Sequence, residues 1–278
     1  MKKKSLPLVL PALLAAFLLA PSPVPSLGGG RWAANGVGIR TTYANDALRP
    51  QVVSDGSGGI IVAWDDARND GCGIYAQRVD GAGRPLWTAE GVGVCTSDHT
   101  PNAYKPQIVS DGSGGAIITW QDYRDGAHNH VYAQRVNAAG ACLWAAGGVG
   151  VRTAAVAGDA GPPRIVSDGS GGAIITWEDN RAGGTYVDIY AQRVNGAGAC
   201  LWAAGGVGIR SFNEYEARDP DIVSDGSGGA VIAWRDNRAG DGFYDIYAQR
   251  VNGSGDCLWT ADGTPVRYFS ARSALAPC

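Results

Sequence analysis

The chain of 278 residues is poor in lysine and glutamate, with only four of each. Three of the lysines are Lys2, Lys3 and Lys4, and the formal net charge of the whole chain is −3. Broad binding of nucleic acid requires a basic face that neutralises phosphates. The charge balance therefore predicts that nucleic acid is not a partner.

Long hydrophobic runs are also scarce. The one at residues 6–20 follows the charged residues 2–4 and is too short for an ordinary membrane span. We predict that residues 1–26 are a signal peptide cleaved near Ser26, with an uncleaved anchor as the alternative. The protein is then secreted, or lies at the cell surface or in the periplasm, with no stable membrane span after signal removal.

Repetition is the dominant feature of the remaining sequence. A block of about 57 residues is written four times, and a Trp in each copy recurs at intervals of 56, 57 and 57 residues. These tryptophans are Trp64, Trp120, Trp177 and Trp234. A single unit of this size cannot bury its apolar face alone, so regular units stack or form a ring.

Each unit contains four short β runs. In the second unit these are 106–110, 116–120, 131–136 and 142–144, separated by turn-forming residues at 111–115 and 137–140. The second run is apolar on both faces, which requires cover on both sides. We therefore predict an all-β fold, a β-propeller of four antiparallel four-stranded blades, with five blades as the alternative count.

The predicted domain organisation is a signal peptide at 1–26 and one propeller domain at 27–278. Its units span approximately 41–96, 97–152, 153–210 and 211–267. Residues 32–40 are an extra copy of the end of a unit, so one copy caps an edge or a fifth blade is only partly built.

The recurring segments at 168–177, 188–194 and 201–202 resemble a repeat of secreted bacterial proteins with predicted β-propeller modules. The resemblance covers nearly all of residues 32–267. Members of this group are typically of unknown function, so the resemblance implies export and a propeller-like shape, and no chemistry. The repeat is loosely similar to the Asp-box turns of sialidases, but its Asp80–Gly83–Trp87 spacing is too long to carry that activity across.

Six cysteines in an exported chain suggest disulfides. Cys142, Cys200 and Cys257 share one repeat position, and such positions in neighbouring blades lie beyond the Cα distance that a disulfide spans. We expect these three to be small buried apolar residues. Cys72 and Cys95 form the predicted bridge.

Two polar motifs recur in every unit. The Asp-Gly-Ser-Gly-Gly turn resembles a serine nucleophile loop only superficially, because no repeated His accompanies it. The second motif is Trp-x-Asp-x-Arg, with the pairs Asp66/Arg68, Asp122/Arg124, Asp179/Arg181 and Asp236/Arg238. We predict that these pairs are structural and bidentate. The alternative is a repeated ligand pocket in which Trp64, Trp120, Trp177 and Trp234 stack on sugars.

Two further groups are weaker candidate sites. His99, His128 and His130 fall in one unit and could hold zinc or copper, although exposed loop histidines are the simpler interpretation. Glu214 and Glu216 flank Tyr215, with Arg218 nearby. Two carboxylates at such spacing could serve a glycosidase, and Tyr215 and Arg218 could bind a ligand.

We predict an exported non-catalytic binding or scaffold module that recognises glycan or protein at the cell exterior through variable loops on one face. The first alternative is a propeller-type glycoside hydrolase with acids near Glu214 and Glu216. The second is a purely structural segment of a surface assembly. No cofactor is expected.

Overall fold

The computed structural model describes residues 32–42, 44–68, 72–96, 102–153, 155–183, 186–212 and 214–267. The predicted signal peptide and His99 lie outside these residues. No α-helix occurs in the described part of the chain, and hence none that could cross a membrane.

The described residues form sixteen strands in four sheets, one sheet to a unit. The first sheet contains β1 (Ala47–Ser54), β2 (Ile60–Asp66), β3 (Gly73–Val79) and β4 (Val92–Cys95). The second contains β5 (Ala103–Ser110), β6 (Ala116–Asp122), β7 (His130–Val136) and β8 (Val149–Arg152). The third contains β9 (Arg164–Ser167), β10 (Ala173–Asp179), β11 (Asp188–Val194) and β12 (Val207–Arg210). The fourth contains β13 (Ala217–Ser224), β14 (Ala230–Asp236), β15 (Asp245–Val251) and β16 (Thr264–Arg267).

Every strand pairs antiparallel with its sequence neighbour, so each sheet is a simple meander. The second strands are β-branched and aromatic, and β6 is buried at all seven positions because neighbouring sheets cover both of its faces. The prediction of an all-β propeller with four antiparallel four-stranded blades is confirmed.

The fourth strand of each sheet differs from the prediction. In the second unit Cys142 makes only an isolated bridge to Val136, and the regular strand is the later segment β8. This strand, Val-Gly-Val-Arg, contains one glycine and follows two more, Gly147 and Gly148, and these glycines mask its strand character. Val151 and Arg152 at its end are nevertheless buried between two blades.

The four blades follow one another as an arc. The first strands pack in sequence, β1 with β5, β5 with β9 and β9 with β13. No comparable packing joins β13 to β1 among the strands described. Buried side chains from adjacent units form three clusters, centred on Trp120, Trp177 and Trp234.

Candidate functional site

A repeated polar cluster lies at the end of each second strand. In the first unit the Trp64 indole donates to Asp66 Oδ2 at 2.8 Å, and Arg68 Nη2 donates to the same oxygen at 2.6 Å. The guanidinium of Arg68 stacks 3.7 Å over the Tyr75 ring. Equivalent contacts hold Asp122, Asp179 and Asp236.

The geometry of two Asp–Arg pairs corrects the prediction of bidentate pairing. Arg124 does form such a pair, with Nε 2.8 Å and Nη2 2.6 Å from the two oxygens of Asp122. Arg181 and Arg238 instead reach their aspartates through Nη2 alone, at 2.6 Å, and the Nε atom of each is buried with no hydrogen-bond partner among the described residues.

Two further contacts hold each guanidinium in place. The guanidinium groups of Arg181 and Arg238 lie over tyrosine rings, at 3.5 and 3.7 Å from the ring centres, and each Nη2 also donates to a backbone carbonyl at 2.7 Å. Arg124 makes the same two contacts, with Tyr132 and the Gly147 carbonyl, so they do not account for the missing Nε bond. These two pairs therefore consist of one charged hydrogen bond and a stacking contact, without the bidentate fork.

The four tryptophans of these clusters are at most 3% exposed. None of their rings offers a face to a ligand, which corrects the alternative interpretation of Trp64, Trp120, Trp177 and Trp234 as sugar-stacking platforms. Their indole N–H groups are used inside the cluster, as buried polar groups require.

The carboxylates of the first, third and fourth clusters are held in the ionised form. Burial alone would raise the pKa of Asp66, but hydrogen bonds from Arg68, Trp64 and Arg40 outweigh it and hold the pKa well below its usual range. The pKa values of Asp179 and Asp236 are lowered despite burial by hydrogen bonds from Arg181 and Arg238 and from the neighbouring indoles. An ionised carboxylate enclosed by guanidinium and indole groups ties strands together and has no free lone pair directed at solvent.

The Asp-Gly-Ser-Gly-Gly turns are built on their aspartates. Asp55 Oδ1 accepts hydrogen bonds from the backbone N–H groups of Ser57 and Gly59, both at 2.8 Å. Asp55 Oδ2 accepts from Arg78 of β3, at 2.9 Å, and from the Ser57 hydroxyl, at 2.7 Å. This serine is therefore a turn residue whose hydroxyl is bonded within the turn, to a carboxylate oxygen that Arg78 also contacts.

The cysteines differ from the expectation. Cys72 and Cys95 are both free, so the expected bridge between them is not formed. Cys142, Cys200 and Cys257 are exposed and not buried, because each sits in the short segment after the third strand at the outer edge of its blade. Burial, together with the charge of Asp122, raises the pKa of Cys95 to about 12, so that thiol stays protonated.

The two described histidines do not form a metal site. His130 is buried, with Nε2 2.6 Å from Asp125 Oδ2 and Nδ1 3.0 Å from Arg152 Nη1. His128 is half exposed, and its nearest acidic oxygen, on Asp159, is 3.9 Å away. The described residues contain no group of three or more metal-ligating side chains.

A cluster of two glutamates centres on Arg218 at the start of β13. Its Nη1 donates to Glu178 at 3.2 Å, while Nε and Nη2 donate to Glu216 at 3.1 and 2.9 Å. The Tyr244 hydroxyl donates to Glu216 at 2.7 Å. Since one guanidinium contacts both glutamates, the contacting oxygens are at most about 8.5 Å apart, which is below the upper limit of roughly 9.5 Å for glycosidase carboxyl pairs.

The contacts within this cluster shift the pKa values of Glu216 and Arg218 in opposite directions. Hydrogen bonds from Arg218 and Tyr244 lower the pKa of Glu216 to about 2, against a small opposing effect of burial. Glu216 is therefore a carboxylate throughout the physiological range. The hydrogen bond and charge of the same glutamate raise the pKa of Arg218 further above its already high value.

A cleft of about 270 Å³ opens beside this cluster, between the second, third and fourth units. Its polar lining residues are Gln121, Asn129, Asp159, Glu178, Asn180 and Arg218. They come from the ends of second strands, the starts of first strands and the loops that precede third strands. These segments emerge on one face of the arc, the face that also carries the variable connectors.

Sequence reasoning placed only half of this site. The sequence singled out Glu216 and Arg218, and the structure brings these two together. It also singled out Glu214 and Tyr215, which lie outside the cluster because both are exposed. In the hydrogen bonds of the described residues, Glu214 takes part through its backbone carbonyl, which accepts from Arg210. Glu178 was missed as a site residue. It occupies the variable position of Trp-x-Asp, and this departure from the repeat is the signal that could have identified it.

No protein-family model matches the chain, and no curated protein matches it. Solved structures do. The GH93 α-L-arabinofuranosidase of Fusarium graminearum, solved with arabinobiose, aligns over 82% of this chain and 71% of its own, at 10% identity and a TM-score of 0.52. The endo-arabinase of Bacteroides thetaiotaomicron VPI-5482 aligns over 80% and 82% of the two chains, at 14% identity and a TM-score of 0.45.

At such identities the likeness to the Fusarium enzyme establishes the fold, a β-propeller of the kind found in glycoside hydrolases. The prediction of a non-catalytic binding or scaffold module is wrong on this finding. The variable loops of one face led to the binding module, because a site assembled once from non-repeated residues has no repeating pattern that shows which of those residues meet.

Proposed function

We propose that the protein is a propeller-type glycoside hydrolase whose active site is the cleft beside Arg218, with Glu178 and Glu216 as its two carboxyl groups. The observation that carries the proposal is that one guanidinium contacts both glutamates, while Arg218 and Glu178 line an open cleft. The substrate class we propose is an α-L-arabinofuranoside, as in the Fusarium enzyme of the same fold.

The two glutamates have different tasks in this scheme. Glu216, with its pKa of about 2, is the permanent carboxylate that stabilises positive charge on the sugar or activates the attacking group. We assign the proton transfer to Glu178 because it is the glutamate of the pair that lines the cleft. Arg218 orients both groups before substrate binds.

The polar lining of the cleft suits a sugar. Asn129, Asn180 and Gln121 carry amides that can both donate to and accept from hydroxyl groups. One oxygen, Gln121 Oε1, is buried and has no hydrogen-bond partner among the described residues. We further infer that the enzyme acts outside the cell, as the N-terminal segment 1–26 predicts.

The test is hydrolysis of aryl α-L-arabinofuranosides and debranched arabinan, with a panel of aryl pyranosides beside them. Glu178→Gln and Glu216→Gln should each lower kcat/KM by about 10²- to 10⁴-fold, the usual contribution of a catalytic proton-transfer group. Glu214→Gln is the matched control, because it changes an exposed glutamate of the same segment, and it should leave kcat/KM within about twofold of the wild type.

Absence of hydrolysis of every furanoside and pyranoside by the wild-type protein would contradict the proposal. Full activity in Glu178→Gln would remove this glutamate from the site. Unchanged thermal unfolding in all three variants is the check that the substitutions act on chemistry and not on folding.

A further inference from the structure

Each unit donates the same hydrogen bonds to the unit that follows it. Trp87, Trp144 and Trp202 donate their indole N–H groups to the carbonyls of Ala138, Gly196 and Gly253 in the next unit, at 3.0 to 3.1 Å. Arg78, Arg135 and Arg193 donate to the same three carbonyls. These contacts define a trailing face, which donates, and a leading face, which accepts.

Residues 32–42, which we call the N-terminal cap, make these contacts on unit 1 without a unit of their own. Trp32 donates to the Gly81 carbonyl at 3.2 Å, and Arg40 pairs with Asp66 at 3.2 Å. Arg152 and Arg210 pair with the equivalent aspartates of units 3 and 4. The cap therefore occupies the sites that the end of a preceding unit would fill.

The trailing face of unit 4 is exposed where the others are covered. Trp259 is 43% exposed, against 8% for its counterpart Trp202, and Val266 is 68% exposed, against 1% for Ile209. The side chain of Arg250 is 38% exposed, against 17% for Arg193. Within the described residues Arg250 also lacks the bond to a following carbonyl that its three counterparts make.

We propose that the trailing face of unit 4, defined by Val223, Ile246, Trp259 and Val266, docks on the leading face of unit 1 in a second copy of the chain, and that the N-terminal cap blocks this contact. The occupant is a second copy because its unit 1 presents the required acceptors, the Gly81 carbonyl and the Asp66 carboxylate. The same contact already exists three times within one chain, which supplies its geometry.

The cap and the end of unit 4 compete for one set of sites. Both read Trp, then a turn, then a terminal Arg, at 32–40 and 259–267. The apolar positions on the two open ends are complementary to each other, since Val52 of unit 1 and Val223 of unit 4 are each 60% exposed while inner counterparts are covered. A contact of this head-to-tail kind extends into chains or closes into a ring of copies.

The experiment uses three full-length proteins. The wild type has a capped leading face and a free trailing face, so it acts only as a donor. Trp32→Ala/Arg40→Ala releases the cap and should form concentration-dependent oligomers in size-exclusion chromatography with light scattering. Adding Val223→Arg to that pair blocks the trailing face and yields an acceptor that should be monomeric alone.

Mixing the wild-type donor with the acceptor should give a 1:1 complex, and Val266→Arg in the donor should abolish it. Failure to form the complex, with both proteins showing wild-type near-ultraviolet circular dichroism, overturns the proposal. So does a complex that survives Val266→Arg. A cap-released variant that stays monomeric while Trp259 becomes protected from hydroxyl-radical labelling indicates closure within one chain, which also overturns it.

Discussion

At the residue scale, one glycine in each unit touches the central Trp of its own blade. Gly206 has φ +88°, and a Cβ built there would lie 2.7 Å from both the Trp177 ring and the Ala191 carbonyl oxygen. Gly169, in the Asp-Gly-Ser-Gly-Gly turn, has φ +73° with nothing within 4 Å of such a Cβ. The first glycine is required by backbone conformation and by space, the second by conformation alone.

This difference predicts unequal costs for the same substitution. Gly169→Ala should lower the free energy of unfolding by about 1–2 kcal/mol, the cost of placing a Cβ in the left-handed region. Gly206→Ala should lower it by roughly a further 1–3 kcal/mol, because the added methyl overpacks the Trp177 contact. Urea denaturation measures both, and equal losses would show that the Trp contact relaxes freely.

The candidate site illustrates what residue patterns do not reveal. Glu216 and Arg218 stood out because glutamate is rare in this chain and two glutamates flank one Tyr. Glu178 did not, because its partner Arg218 lies 40 residues away in the next unit. Contacts across a blade interface depend on the register and tilt of two sheets, and neither is written in the local sequence.

At the element scale, a buried glutamine joins the third strand to the segment that follows it. In β11 the Gln192 amide Nε2 donates to the Ala203 carbonyl at 2.8 Å, and Oε1 accepts from the N–H groups of Trp202 and Arg193, at 2.9 and 3.0 Å. Gln77, Gln134 and Gln249 do the same in the other units. One side chain thus pairs three backbone groups that β-ladders leave unpaired.

Gln192→Leu should therefore be severe. It leaves three backbone groups without a partner, each worth about 1–3 kcal/mol when buried, and the free energy of unfolding should fall by roughly 3–6 kcal/mol. Gln107→Leu is the control, since that half-buried glutamine in β5 bonds only to the adjacent Pro106 carbonyl, and it should change the free energy by less than about 1 kcal/mol. Similar losses in denaturant titrations of the two variants would contradict this account.

The number of strands in each unit was predictable from the sequence, but the position of the fourth strand was not. The β-branched runs of the second and third strands predict β6 and β7 well, since alternation and apolar content act locally. The fourth strand was assigned to 142–144, whereas the structure forms it at Val149–Arg152. Its glycines lower its strand propensity, and only packing between two blades makes it a strand.

At the scale of the whole molecule, buried carboxylates lie at the junctions between units. Hydrogen bonds and charges from two adjacent units lower the pKa of Asp179 and Asp236, and those from unit 1 and the N-terminal cap lower the pKa of Asp66, despite the opposing effect of burial. A lowered folded pKa means that stability is fully present above the unfolded value of about 4 and is lost as the pH falls below it. We expect the free energy of unfolding to be steady near neutrality and to decline below pH of about 4.

Urea titrations from pH 7 down to pH 2, in low salt and in 1 M NaCl, measure this decline. Because these carboxylates are buried, added salt should leave most of the decline in place. A free energy that stays flat to pH 2 would show that the junction aspartates contribute nothing net. A decline that salt removes would assign it to exposed pairs such as Arg84–Asp80.

The overall shape was predictable down to the number of sheets, because periodic tryptophans and turns specify four equal units. Whether the first and last blades pack together to close a ring was not predictable from the sequence. Closure depends on the angle between successive blades, which sums small packing differences at three interfaces, and the extra tail at 32–40 left both outcomes open. Among the strands described, the four blades form an arc in which β13 and β1 do not pack together as the other first strands do.

The one-way direction of the hydrogen bonds between units has an evolutionary consequence. Any unit offers acceptors to whatever comes before it and donors to whatever comes after it. A coding segment duplicated or lost in frame would leave every remaining junction chemically intact, so copy number can drift by unequal recombination without the invention of a new surface. Glu178 and Arg218 lie outside this repeated pattern, because the other units carry different residues at the equivalent positions.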